Sequence, residues 1–123
     1  MTEQKKLAPI YEEEVLRALA VESSTLSKEG SEKKIKRRLR EKMLGAYDQI
    51  RVDVLRKFKT QLHHEIRNAH KSTYFTPQGG DEAEIKDFNT SQMIEDLSAQ
   101  FPDIPKPVIV SFVPYAVYMY YLR

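Results

Sequence analysis

Residues 31–72 read SEKKIKRRLREKMLGAYDQIRVDVLRKFKTQLHHEIRNAHKS, and this stretch decides the fold class. Apolar side chains recur at Ile35, Leu39, Met43, Tyr47, Ile50, Val54, Phe58, Leu62, Ile66 and Ala69. Steps of four and three average close to the helical period and fit no strand. The spacing predicts one long amphipathic helix from Ser31 to about Ser72, with Gly45 as its weak point. At 1.5 Å per residue it would be roughly 60 Å long, whereas a compact chain of this size has a radius of gyration of about 14 Å. Too little chain remains to cover such a stripe. The sequence therefore predicts self-association or docking with other protein subunits, with Tyr47, Ile50, Val54, Phe58 and Leu62 as the seam.

Upstream, Pro9 suits a first helical turn, and Glu12, Glu13 and Glu14 suit the positive end of a helix dipole. Tyr11, Val15, Ala18 and Leu19 make a stripe, predicting a helix from Pro9 to about Val21. Ser23, Ser24 and Thr25 predict a turn, and Gly30 a second break with Ser31 as helix cap. The first helix then either folds back on the long one as an αα-hairpin or continues almost straight.

Downstream, Thr76-Pro77-Gln78-Gly79-Gly80 ends the long helix. Asp81 and Glu84 resemble a capping box opening a short helix with Ile85 and Phe88. Asn89 or Thr90 caps another, with Met93, Ile94, Leu97 and Phe101 on one side and Pro102 as its stop. Pro102, Pro105 and Pro107 form a stiff connector. Beyond it, Val108–Leu122 carries no charge. Residues 108–113 suit a short buried strand or one limb of a kinked helix, and Pro114 starts a helix with Tyr115, Tyr118, Met119 and Leu122 on one face. The expected fold class is all-α, in three parts: a helical spine over 1–75, a linker with short helices over 76–107, and an apolar tyrosine-rich tail over 108–123.

The tail is too short for a bilayer core of roughly 30 Å. It either packs back on the chain's own helices or, on the favoured reading, is an assembly element, with Phe112, Tyr115, Tyr118 and Tyr121 at a partner interface. On that reading a chain ending at Lys106 stays helical but fails to assemble.

Composition narrows the function. With 41% hydrophobic residues among 123, one domain with a thin core is allowed. The absence of cysteine excludes disulfides and thiolate chemistry. The first 20 residues lack the apolar core of a secretory signal, so an intracellular or virion setting is expected. No phosphate loop, nucleophile elbow or other catalytic arrangement occurs, so no enzyme is expected and no cofactor. His63, His64 and His70 are separated by one, six and seven positions rather than the four a helical metal site wants, and no metal is expected.

The sharpest local feature is basic. Seven of the ten residues from 33 to 42 are cations: Lys33, Lys34, Lys36, Arg37, Arg38, Arg40 and Lys42. Such density reads first as a solvated helix face, and it also suits phosphate, an acidic protein or an anionic lipid surface. It lacks the signatures of base readout. The leading expectation is a non-enzymatic structural or adaptor subunit of a larger assembly, such as a viral particle. The alternative is a nucleic-acid-binding oligomer using residues 33–42, and the third is a peripheral membrane subunit anchored by the tail.

Overall fold

The structure is a computed structural model and describes residues 10–20, 28–77 and 84–122. It is all-α. Among the described residues there are five α-helices: α1 (Ile10–Leu19), α2 (Lys28–Glu41), α3 (Gln49–Arg67), α4 (Thr90–Gln100) and α5 (Lys106–Val117). Among the described residues the only β pairing is a single antiparallel bridge between Phe75 and Phe88. The chain divides into two compact units, Met1–Lys59 and Thr60–Arg123, and the division falls inside α3.

In the first unit, α1 buries Tyr11, Val15, Leu16, Ala18 and Leu19. Its partner α2 buries Ser31, Ile35 and Leu39, three residues spaced by four on one helical face. Glu14 of α1 meets Arg38 and Lys42, while Tyr11 reaches Ala46 and Asp48. Contacts that advance on one helix and retreat on the other make an antiparallel hairpin, as one of the two expected arrangements requires. The boundary differs from expectation. Gly30 and Ser31 lie inside α2, and Ser31 is buried rather than capping. The predicted turn at Ser23–Thr25 and the helix start at Pro9 lie outside the described residues.

The long helix is not continuous. It breaks at residues 42–48, between α2 and α3. The Met43 N–H donates to the Arg40 carbonyl at 3.2 Å and the Leu44 N–H to the Leu39 carbonyl at 2.9 Å. Met43 takes φ +52°. These two bonds around a left-handed residue form a Schellman cap, which satisfies carbonyls that a helix end would otherwise leave open. Gly45 follows at φ +109°, and a Cβ there would meet nothing within 4 Å, so backbone angle and not space calls for glycine. Asp48 then starts α3 by accepting the Arg51 N–H on its side chain at 3.1 Å.

A left-handed methionine is unusual, because a Cβ there costs about 1–2 kcal/mol. Met43 is 89% exposed and packs little in return. Met43→Gly should therefore raise stability by a net ~0.5–1 kcal/mol after the looser unfolded chain is counted. A thermal melt followed by circular dichroism checks this, and a lower midpoint would contradict it.

The break resets the helical phase. In α3 the buried face is Val52, Leu55 and Phe58, continuing in the second unit as Leu62 and Ile66. Ile50 and Val54, on the predicted seam, fall on the other face: Ile50 is 76% exposed and Val54 half-buried.

In the second unit a 3₁₀ turn at Ala69–Lys71 leads to the Phe75–Phe88 bridge. The Thr76 N–H donates to the Asp87 carbonyl and the Asn89 N–H to the Tyr74 carbonyl, at 2.7 and 2.9 Å. The short helix expected over Ile85 and Phe88 is a 3₁₀ turn, Ile85–Asp87, and Asp81 of its predicted capping box lies outside the described residues. Asn89 caps α4 by accepting the Gln92 N–H at 3.1 Å, as expected. Met93 and Leu97 of α4 are buried.

The stretch 108–113 is helix, not strand. Pro107 sits in the first turn of α5, where its missing N–H is harmless. Val108, Ile109, Phe112, Val113, Ala116 and Val117 are all buried, and α5 packs on α4. Packing on two adjacent stripes overrides the β-branched composition. Pro114 lies inside the helix, and the chain widens beyond it into a π-helical turn, Tyr118–Leu122. The tail thus belongs to the core of its own unit.

Candidate functional site

The seven cations sort themselves once α2 is folded. Glu14 of α1, with only 13% of its side chain exposed, takes two of them: Arg38 Nη1 at 2.7 Å and Lys42 Nζ at 3.6 Å. Lys34 is half-buried on the flank. The other four, Lys33, Lys36, Arg37 and Arg40, are exposed. Their offsets of zero, three, four and seven place them within an arc of about 100° on one helix face and about 10 Å of its length. That face is turned away from the buried Ser31, Ile35 and Leu39. Among the described residues no carboxylate lies within ion-pair distance of any of the four. Lys36 sits over the half-buried ring of Tyr47, 5.1 Å from its centroid. Exposed Glu29 and Glu41 bracket the stripe.

A second cluster stiffens the hairpin behind this face. The Arg51 guanidinium stacks on the Tyr11 ring with Cζ 3.7 Å from the centroid, and its Nη2 binds Glu12 Oε2. The Tyr11 hydroxyl donates to the Ala46 carbonyl at 3.3 Å and accepts the Asp48 N–H at 2.9 Å. A first-turn dipole role is the expected use of Glu12 and Glu14. The structure adds a tertiary one, because each carboxylate is a largely buried anchor for an arginine. Nothing in local spacing marks that pairing, since the partners are 24 and 39 residues away.

Charge is divided unevenly between the two units. Residues 1–59 hold 15 basic and 10 acidic side chains, a formal +5, and residues 60–123 hold 5 and 8, a formal −3, which together give the chain's +2. The near-neutral total conceals a basic first unit.

Among the described residues of the second unit, two tyrosines pair with aspartates. Tyr74 Oη donates to Asp96 Oδ2 and Tyr121 Oη to Asp87 Oδ2, both at 2.6 Å. Tyr74 and Asp96 border a cavity of about 290 Å³ whose lining also includes Glu65, Lys71, Met93 and Leu97. The hydrogen bond to Asp96 pushes the Tyr74 hydroxyl up to about 12, and that to Asp87 does the same for Tyr121. Burial pushes Tyr120 to about 12 as well. The Tyr74 bond in turn holds the Asp96 carboxyl below its ordinary value.

For each of these hydroxyls the folded pKa lies above the unfolded value of about 10, so the stabilisation is fully present below that pH and is lost as pH rises through 12. The thermal midpoint should fall between pH 10 and 12. Ultraviolet titration of tyrosinate should show a step near 12 that shrinks in Tyr74→Phe and again in Tyr121→Phe. A single step at the free tyrosine value would contradict the pairing.

The predicted interface residues scatter. Phe58, Leu62 and Phe112 are closed within the chain's own cores. Tyr115 packs its ring against Phe112, and Tyr121 joins Phe75 and Phe88 in an aromatic cluster with centroids 5.1–5.7 Å apart. Tyr47 and Val54 are half-buried, and Ile50 and Tyr118 face outward. The histidines part company too: His63 stacks on Tyr120 at 4.2 Å, His64 meets Asn68, and His70 lies in the 3₁₀ turn. Among the described residues no group of three metal-binding side chains converges, and no helix is long and apolar enough to cross a membrane. No family model matches the chain, and no curated protein or solved structure matches it either.

Proposed function

We propose that this protein is a non-catalytic helical subunit that binds an anionic macromolecular partner through the outward face of α2. One observation carries the reading. Lys33, Lys36, Arg37 and Arg40 stand exposed on one face with no carboxylate partner among the described residues, while Glu14 takes up Arg38 and Lys42. Surface cations on a folded hairpin are held apart from the core and cost nothing to desolvate until a partner arrives. They repel each other until then, so an anion that spans them relieves that repulsion.

The adaptor reading rests on a seam whose residues Phe58 and Leu62 are buried in the chain itself. Among the described residues the large apolar side chains left exposed are Met43, Ile50, Ile85, Val110 and Tyr118, and of the predicted seam only Ile50 is one of them. The charged face is the better-supported contact.

The protein should be retained on a heparin matrix at low salt. Replacing Lys33, Lys36, Arg37 and Arg40 by alanine should release it while the helical content stays the same, because all four are exposed and alanine is the best helix former. A wild-type protein that washes through at low salt rules the reading out.

A further inference from the structure

We infer that the anion taken by α2 is the phosphate backbone of a nucleic acid, bound without regard to base sequence; this rests on the α2 reading above. The three classes of polyanion make different demands on a helix. A membrane surface needs an apolar face that enters the headgroup boundary beside the cations. The apolar face of α2, Ile35 and Leu39, is buried against its own unit. An acidic protein partner needs a desolvated apolar centre inside the charged rim. The stripe offers none: Lys33, Lys36, Arg37 and Arg40 follow one another along α2 with no large apolar side chain between them, the Tyr47 ring beneath Lys36 is half-buried, and Met43 sits at the left-handed position of the Schellman cap, past the end of α2. Phosphate needs neither, because release of condensed counterions supplies the driving force.

The geometry also limits the contact. The stripe runs about 10 Å, and duplex DNA carries one charge per roughly 1.7 Å of axis, so four long cationic side chains each find a phosphate within reach. Glu29 and Glu41 repel phosphate at either end and confine the footprint to four contacts. The face carries no Asn, Gln, Ser or Thr, Ser31 being buried on the opposite side, so the groups available to a base edge are the same four cations that hold phosphate.

The test is fluorescence anisotropy of the full chain with a labelled mixed-sequence DNA duplex, with polyglutamate and with phosphatidylserine vesicles as parallel probes. Four contacts predict a slope of log affinity against log salt of about −3.6 for duplex and about −2.8 for a single strand. Between 50 and 200 mM salt the duplex affinity should fall on the order of 100-fold, equally for unrelated sequences. The four-alanine variant should lose nearly all binding. As a charge control, Lys57, Lys71, Lys86 and Lys106 are replaced by alanine, which changes the net charge equally; this variant should keep the wild-type slope. If the control loses as much as the α2 variant, or if duplex is not bound at 50 mM salt, the inference is overturned. Should polyglutamate or vesicles bind while duplex does not, the nucleic-acid inference falls and the α2 reading survives. No binding to any polyanion removes both.

Discussion

A chain ending at Lys106 should lose the cooperative fold of residues 60–123. The segment removed holds Val108, Ile109, Val113, Ala116 and Val117 at 0% exposure and Phe112 at 6%. Each large apolar side chain taken fully out of water is worth about 1.5–3 kcal/mol, so five of them contribute roughly 8–15 kcal/mol gross. That is an upper bound, because unfolded chains already bury some apolar surface. It still matches the whole stability of a typical domain, about 5–15 kcal/mol. Truncation also strips the Tyr121 hydroxyl from Asp87, a buried carboxylate, and exposes the Phe75–Phe88 pair that Tyr121 covers edge-on. Circular dichroism should show α4 melting and the near-ultraviolet tyrosine signal collapsing. A truncated chain that keeps its helicity and a sharp melt would restore the sequence-based expectation that this tail serves assembly. The two views separate cleanly, because one removes a partner's ligand and the other removes half of a core.

Sequence periodicity recovered the all-α class and most helix interiors, because one-sided burial writes a 3.6-residue pattern into any helix. Val15, Leu39, Phe58, Leu62 and Ile66 were legible for that reason. It failed where two helices abut. The apolar pattern runs on through Met43 and Tyr47 as though residues 42–48 were helical, yet the Schellman cap depends on backbone hydrogen bonds that side-chain period does not encode. Gly45 was the local clue, and Met43 concealed it by occupying the left-handed position where glycine is usual. The tail failed for a different reason. Residues 108–113 carry valine and isoleucine on more than one face, and only the packing of α5 on α4 decides helix over strand. The cationic stripe was half legible. Its density is visible in ten residues, but its division into four outward and two neutralised cations depends on Glu14, 24 residues before Arg38.

Leu62→Asp should unfold the protein rather than dissociate it. Leu62 is 1% exposed, and a helix seam facing a partner would leave it open in the single chain. Replacing a buried leucine by alanine typically costs about 2–5 kcal/mol through lost transfer energy and the cavity left behind. Aspartate adds the penalty of a buried polar group with no partner, at least a further ~1–3 kcal/mol, and is forced to protonate or to pull water into the core. The sum approaches the entire stability of a typical domain. Ile50→Asp is the matched control, on the same helix but 76% exposed, where a carboxylate stays in water and the melting midpoint should hardly move. Any self-association that uses Ile50 then shows as a change in sedimentation with an unchanged melt. Unfolding in the Leu62 variant should be independent of protein concentration, because the leucine packs within its own chain. A Leu62→Asp chain that stays helical and melts like wild type, but sediments as a smaller species, would place Leu62 at an interface after all and return α3 to the seam that its sequence first suggested.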